Sequence, residues 1–289
     1  MNVIEQKILY PLYRRVLKPM RLYMGGALID CGNFVLGEHD RFSPPRRFVH
    51  VGNGNFQAIG NKFLCHFTTL GGLTRNAQVL DIGSGIGRMA RPLIDFLDPE
   101  RGSYHGIDVV PEGIAWCQKN ITPYYPNFHF HVADIENKHY NPDGKFQASE
   151  YRFPFEDESF DFILLTSVFT HLLPADAAHY INEISRLLRK GGKVFCTWYL
   201  LNEESENLIA EHAARYSRGV PPIKYPVDET GVCKTAHVNV PEQVVGYAEG
   251  HVIQSFEQAG LSGVTIHYGG WCSRKKYIDW QDIVVASKV

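Results

Sequence analysis

VLDIGSGIGRMARPL, residues Val79–Leu93, is the stretch on which the reading of this sequence turns. An apolar run (Val79, Leu80, Ile82) surrounds an acid, Asp81, and three glycines then alternate, Gly83, Gly85 and Gly87, ahead of a helical pattern. Lacking a Cβ, these glycines let the backbone turn sharply and approach a ligand closely. They also place N–H groups at a helix start, where a carboxylate is welcome. Asp81, at the strand end, can meet an ammonium group, and a ligand carrying both charges is an amino acid. A dinucleotide loop needs G-x-G-x-x-G; counted from Gly83, its third glycine falls on Arg88. A phosphate-binding loop fails as well, because no G-K-[ST] follows.

Outward from this stretch, short apolar strands alternate with helical patterns. Strands are expected at 78–82, 104–108, 128–133, 160–166 and 193–199, with helices at 87–97, 111–120 and 175–189. This βαβ rhythm predicts a doubly wound α/β fold. A helix at 251–259 and strands at 263–268 and 281–286 follow, the last two reading as an antiparallel pair at the sheet edge. Residues 136–151 are polar and turn-rich, an insertion before the fourth strand. Residues 1–72 read as an N-terminal helical and loop segment: helical spacing from Ile4 to about Leu28, loop from Asn33 to Gly60, helix from Asn61 to Leu70. Residues 73–289 form the main domain. Within it, 201–250 carries Pro221, Pro222, Pro226 and Pro241 among aromatics and reads as a lid.

Two further acids stand at strand ends. Asp108 closes YHGIDVV about twenty residues beyond the glycines, where a carboxylate can accept hydrogen bonds from both hydroxyls of a ribose. Asp134, in FHFHVADIE, can accept an adenine amino proton. Amino acid, ribose and adenine together compose S-adenosylmethionine. From Gln78 to Leu200 the sequence resembles the class I S-adenosylmethionine-dependent methyltransferases, through VLDIGSGIG, GIDVV, ADIE and FPFEDESFDFILLTSVFTHL in that order, followed by EISRLLRKGGKVFCTWYL. The resemblance implies a Rossmann-like, seven-stranded, mostly parallel sheet whose last strand is antiparallel. It implies that Gly83, Gly85 and Gly87 wrap the methionine part and that Asp81 helps hold its ammonium through backbone or water. Asp108 would bind the ribose, Asp134 and the backbone of Ile135 the adenine, and the Thr166 carbonyl would lie near the ammonium and the methyl group.

The sulfonium methyl is already electrophilic, so the main task is to hold a nucleophile in line with it. A hydroxyl acceptor can use a base, and His171, just past the fourth strand, stands where this fold opens to its substrate. His212, His237 and Tyr225 in the lid are further candidates to line the pocket, while His129 and His131 alternate along one strand and face a helix or solvent. The [DN]-P-P-[YF] signature of base methylation is missing, and the net charge of −2 recruits no nucleic acid. A small or medium-sized acceptor is expected, methylated at oxygen: a natural product, sugar or glycan. N- or C-methylation, a non-catalytic cofactor-binding protein and a nicotinamide-dependent oxidoreductase are the alternatives. Arg88 in place of the third glycine argues against the last.

The chain has 289 residues, 44% of them hydrophobic and 21% charged, an ordinary balance for a globular protein. Its basic first fifty residues read as a solvated face, with an anion or membrane-surface site as the alternative. Six scattered cysteines form no C-x-x-C pair, so neither a metal site nor a disulfide framework is expected. No run is long enough to span a membrane and no signal peptide is evident, so a cytoplasmic setting is expected. Nothing in the sequence sets the oligomeric state.

Overall fold

A computed structural model of the chain describes residues 24, 40–48, 55–137, 141–212 and 220–289. The helix expected from Ile4 to Leu28 therefore falls almost wholly outside the described residues. The main sheet contains β1 (Gln78–Ile82), β2 (Ser103–Asp108), β3 (Phe128–Val132), β4 (Phe160–Leu165), β5 (Leu188–Trp198), β10 (Leu261–His267) and β11 (Asp282–Lys288). Their order is β10-β11-β5-β4-β1-β2-β3. The first five run parallel, and β11 is antiparallel to both β5 and β10. This is the expected seven-stranded, mostly parallel sheet.

The order has a consequence for binding. The chain moves outward from β1 through β2 to β3, then returns to lay β4 on the other side of β1. Loops leaving β1 and β4 therefore diverge, and a crevice opens at their carboxyl ends, where open α/β sheets bind ligands. β1 lies beneath that crevice and is buried from Val79 to Ile82. It reads as a continuous apolar run because helices cover both faces of the sheet.

On one face pack α1 (Phe56–Thr69), α2 (Ala90–Phe96) and α3 (Pro111–Asn120), around Phe67, Ile94, Ile114, Val79 and Leu164. On the other pack α4 (Pro174–Leu187) and α6 (Glu249–Gln258), around Tyr180, Ile184, Phe256, Leu80 and Ile163. Helix α1 starts five residues before the expected Asn61. Asn55 caps it, its side chain accepting from Ala58 N at 2.9 Å. Gly60 suggested loop, yet it sits inside the helix because that is where α1 crosses the chain entering α2. A Cβ there would stand 2.7 Å from the Arg88 carbonyl oxygen.

The expected lid contains α5 (Glu203–His212) and a second, small sheet: β6 (Leu200–Leu201), β9 (Val245–Ala248), β8 (Cys233–Thr235) and β7 (Tyr225–Pro226), in that order. It grows directly from the end of β5 and has its own core of Tyr199, Leu201, Ile209, Ile223 and Trp271. It is fastened to the chain after β4, with Val245 N donating to Thr170 O at 2.9 Å and Tyr247 Oη to Leu172 O at 2.7 Å. No helix among the described residues is long and apolar enough to cross a membrane.

Candidate functional site

A cleft of about 520 Å³ opens above the carboxyl ends of β1 and β4. Its floor is the turn after β1, from Gly83 to Met89, and one wall comes from the segment after β2, Val110, Gly113 and Trp116. Thr166 and Ser167, after β4, form the far end, and Phe48, Ile59 and Phe63 supply an apolar wall.

The three glycines act differently. All have positive φ: +82° at Gly83, +55° at Gly85 and +82° at Gly87. A Cβ on Gly83 would collide with Val168 Cγ2 at 2.4 Å, and one on Gly87 would press on Cys117 Sγ at 2.9 Å, inside the core. At Gly85 nothing lies within 4 Å, so a side chain there would project into open space along the cleft. Gly113 of α3 completes the loop's packing, because a Cβ there would meet the Gly85 carbonyl oxygen at 2.8 Å.

Asp108 ties the two strand-end loops together. Its Oδ2 accepts from Gly85 N at 2.7 Å and its Oδ1 from Val110 N at 2.8 Å. Each oxygen keeps lone-pair capacity for a further donor. Burial raises its pKa, opposed by the backbone amides of Val110 and Gly85. Asp81 is fully buried, with Oδ2 accepting from Tyr104 Oη at 2.6 Å. Burial lifts its carboxyl to about 7; the Tyr104 hydroxyl opposes this and the nearby Asp108 charge adds to it. Asp81 Oδ1 and Ser84 Oγ are buried and have no protein partner among the described residues.

Arg88 also reaches the cleft wall, with its guanidinium 5.6 Å from the Phe56 ring centroid. Its pKa is lowered by burial and by the neighbouring Arg46. At the far end Ser167 holds φ +60°, a conformation rare outside glycine. Thr197 Oγ1 accepts from its backbone N at 2.7 Å, and Gln281 Oε1 accepts from its hydroxyl at 2.9 Å and from Thr197 Oγ1 at 2.6 Å. That network over-determines the turn, as strained residues at binding sites require.

Of the expected site residues, Gly83, Gly85 and Thr166 line the cleft, Gly87 and Asp81 lie in the core beneath it, and Asp108 braces its floor. Asp134 and Ile135 are not on its wall. The Asp134 carboxylate is 3.1 Å from Lys145 Nζ, and Ile135 is buried in the core, so both anchor the 136–151 insertion. His171 is exposed and outside the cleft wall; its ring Nδ1 lies 3.1 Å from the Glu242 carbonyl oxygen. Tyr225 and His237 stand on the small sheet and its following turn, also off the wall, and His212 ends α5. On β3, His129 is exposed and His131 stacks against His105 of β2 and packs edge-on to Phe155.

Arg88, Trp116, Ser167 and the Phe48–Ile59–Phe63 wall are the residues that sequence reading missed. Arg88 carried a signal, a cation at the position where a dinucleotide loop requires glycine. The apolar wall carried none, since its members look like ordinary core positions.

Residues 80–196 match a family model described as a methyltransferase domain. A probable phthiotriol/phenolphthiotriol dimycocerosates methyltransferase 2 of Mycobacterium ulcerans is 32% identical over 115 residues, 40% of this chain and 36% of that protein. The corresponding enzyme of Mycobacterium leprae is 31% identical, over 40% of this chain and 35% of its own. The match thus spans about a third of the length of these curated relatives. Among solved structures, the PH0226 protein of Pyrococcus horikoshii aligns with a TM-score of 0.52 at 14% identity, over 84% of this chain and 95% of its own. Phosphoethanolamine N-methyltransferase 2 of Haemonchus contortus, solved with S-adenosyl-L-methionine, aligns at 0.51 and 18% identity, over 79% and 52%. At such identities these two structures speak to the fold.

Proposed function

The chain belongs to the class I S-adenosylmethionine-dependent methyltransferases, and from that premise we propose that it methylates a hydroxyl oxygen on an acceptor with a substantial apolar body. One observation carries the reading: a single cleft runs from the glycine turn to an apolar wall of Phe48, Ile59 and Phe63, with the Ser167 hydroxyl at its end. The curated relatives are named for phthiotriol dimycocerosates, which supports an apolar acceptor over a free sugar.

The residues present suit the cofactor. Gly85 leaves open space where any other residue would place a Cβ. Asp108 retains acceptor capacity beside that turn, suited to ribose hydroxyls. Asp81 Oδ1 and Ser84 Oγ are buried acceptors awaiting donors, suited to an ammonium group or a water between. Arg88 offers a cation for the carboxylate. Val110, Met89 and Trp116 give an apolar seat for the adenosine. When bound, S-adenosylmethionine supplies an electrophilic sulfonium methyl group.

The protein's own contribution is placement. Ser167 Oγ donates to Gln281, so its lone pairs remain to accept from an acceptor hydroxyl and aim that oxygen. The proton which that hydroxyl gives up on methylation leaves to solvent at the exposed Ser167 end of the cleft. The Phe48–Ile59–Phe63 wall holds the apolar body. Alignment of this kind is worth several powers of ten in rate. Calorimetry with S-adenosylhomocysteine and with NAD, followed by transfer of labelled methyl to hydroxylated long-chain lipids and to sugars, tests the reading. Binding of S-adenosylhomocysteine alone and labelling of the lipids are expected; NAD binding, or labelling of sugars only, would refute it.

A further inference from the structure

The connection between β10 and β11, residues 268–281, touches the cleft through both its anchors. Asp279 is buried and binds Lys62 Nζ at 2.6 Å and His66 Nε2 at 3.0 Å, both on α1. Ile59 and Phe63 of the same helix line the cleft. Two residues on, Gln281 holds Ser167 at the cleft's far end. The loop is also fixed internally, with Gly270 N and Trp271 N donating to Asp279 O and Trp280 O, each at 2.9 Å.

A loop so firmly held nevertheless keeps three large apolar side chains in solvent: Tyr277, Ile278 and Trp280 are 56%, 46% and 45% exposed. Beside them Lys275 and Lys276 are exposed, with no acidic partner among the described residues. Tyr277 rests one side on Gly270 and Trp280 reaches Tyr199 with a hydrogen bond, yet about half of each ring still faces solvent. A tyrosine and a tryptophan with an aliphatic residue suit the headgroup boundary of a bilayer, and adjacent lysines suit anionic lipid. With a net charge of −2, the protein as a whole has no attraction for such a surface, so any attraction must come from local cationic segments such as this loop.

We propose that Lys275–Trp280 is a foot that seats the protein on an anionic lipid bilayer, with the cleft beside the contact so that an acceptor can pass from membrane to site. The proposal extends the apolar-acceptor reading above, but its test needs no methyl transfer. The full chain is sedimented with phosphatidylcholine vesicles and with vesicles containing phosphatidylserine, at low and high salt. Binding is expected to the anionic vesicles, weakened by salt. K275Q/K276Q should lower the partition coefficient by about thirtyfold, from about fivefold per lysine near an anionic surface. Y277S/W280S should lower it on either vesicle. Asp279 is untouched in both variants, and K275Q/K276Q should match the parent in thermal midpoint and S-adenosylhomocysteine affinity. Y277S/W280S also gives up the Tyr277 contact with Gly270 and the Trp280 hydrogen bond with Tyr199. I278S, which removes exposed apolar surface alone, is therefore run beside it and should likewise lower vesicle binding. Failure of the parent to bind anionic vesicles, equal binding to both kinds, or unchanged binding by the variants would overturn the proposal. Self-association of the parent abolished by Y277S/W280S would also overturn it, assigning the patch to a second copy of this chain. A foot that binds vesicles in a protein that transfers no methyl to lipid would leave this proposal standing and refute the acceptor reading.

Discussion

On the glycine side of the cleft, the lining comes from the segments that leave two strand ends: Gly83–Met89 after β1, and Val110–Trp116 after β2, with Asp108 closing β2 beneath them. On the side proposed here for the acceptor, the wall is assembled from Phe48, Ile59, Phe63 and Ser167, and Ser167, just after β4, is held by Gln281 from far along the chain. The first half is dictated by the switch of strand order at β1 and recurs wherever that order recurs. The second depends on which distant segments pack there, so acceptor choice can vary on an unchanged cofactor floor.

The sharpest way to break this contrast lies within the glycine turn. Gly85→Val puts a side chain into open space, at a strain cost of about 1–2 kcal/mol for the left-handed backbone. Its affinity for S-adenosylhomocysteine should fall by more than about a hundredfold, ~3 kcal/mol, while the protein stays folded. Gly87→Val drives the new side chain at Cys117 in the core and should instead unfold the protein at a lower temperature. Calorimetry and thermal melts on both variants distinguish the two roles; matching losses would mean that Gly85 is merely structural.

Asp108→Ala should weaken S-adenosylhomocysteine by about tenfold or more, the loss expected when a charged hydrogen bond of roughly 1.5–3 kcal/mol is removed. The variant also frees the Gly85 and Val110 amides, so part of the loss comes from a looser floor. Asp108→Asn keeps the shape and one acceptor oxygen. An intermediate affinity for it is expected, and no change in either variant would remove Asp108 from the cofactor side.

How much of this was legible follows the same divide. Val79–Ile82 and Asp108 announce themselves because an acid at the end of an apolar run is a local pattern, and strand ends gather at one edge of a parallel sheet. The parallel rhythm through β5 came from local periodicity as well. The small sheet of residues 200–248 did not, since its strands are two to four residues long and one of them ends in Pro226. Helix α1 was read five residues short because Gly60 signals a break unless its crossing over Arg88 is known. The Ser167–Gln281 and Lys62–Asp279 contacts join positions more than a hundred residues apart, and no window of sequence contains them.

Asp81 offers a gentler test of the cofactor side. Its carboxyl is raised to about 7 in the fold, against about 3.9 in an unfolded chain. A raised acid contributes stability that is fully present below the unfolded value and is lost as pH rises through the folded one. The ligand-free protein should therefore lose about 1–2 kcal/mol between pH 6 and 8 from this group, a few degrees in thermal midpoint. Asp282, buried and raised to about 6, acts in the same direction at slightly lower pH. His105, lowered to about 4 by burial and its two histidine neighbours, acts oppositely but only below about 6.5. Asp81→Asn should flatten the slope chiefly between pH 6 and 7, where the folded carboxyl still holds its proton and the unfolded one does not; an unchanged slope would mean that Asp81 is ionised throughout.

The smallest effect is expected at His171. Sequence position alone made it a candidate base, because it follows β4 at the open end of the sheet. The structure turns it toward the turn that precedes β9, where its Nδ1 meets the Glu242 carbonyl, and the cleft's far end belongs to Thr166 and Ser167. A group acting as general base typically contributes about 10²–10⁴-fold. His171→Ala should instead keep turnover within a few-fold of the parent, with cofactor affinity unchanged, and lose chiefly the hydrogen bond that ties the 166–173 segment to the small sheet. Ser167→Ala should lower turnover more than His171→Ala and raise KM for the acceptor if, as proposed, its hydroxyl orients the acceptor oxygen. If His171→Ala costs a hundredfold while Ser167→Ala costs little, the acceptor side closes on the small sheet during catalysis and the division between the two halves of the cleft must be redrawn.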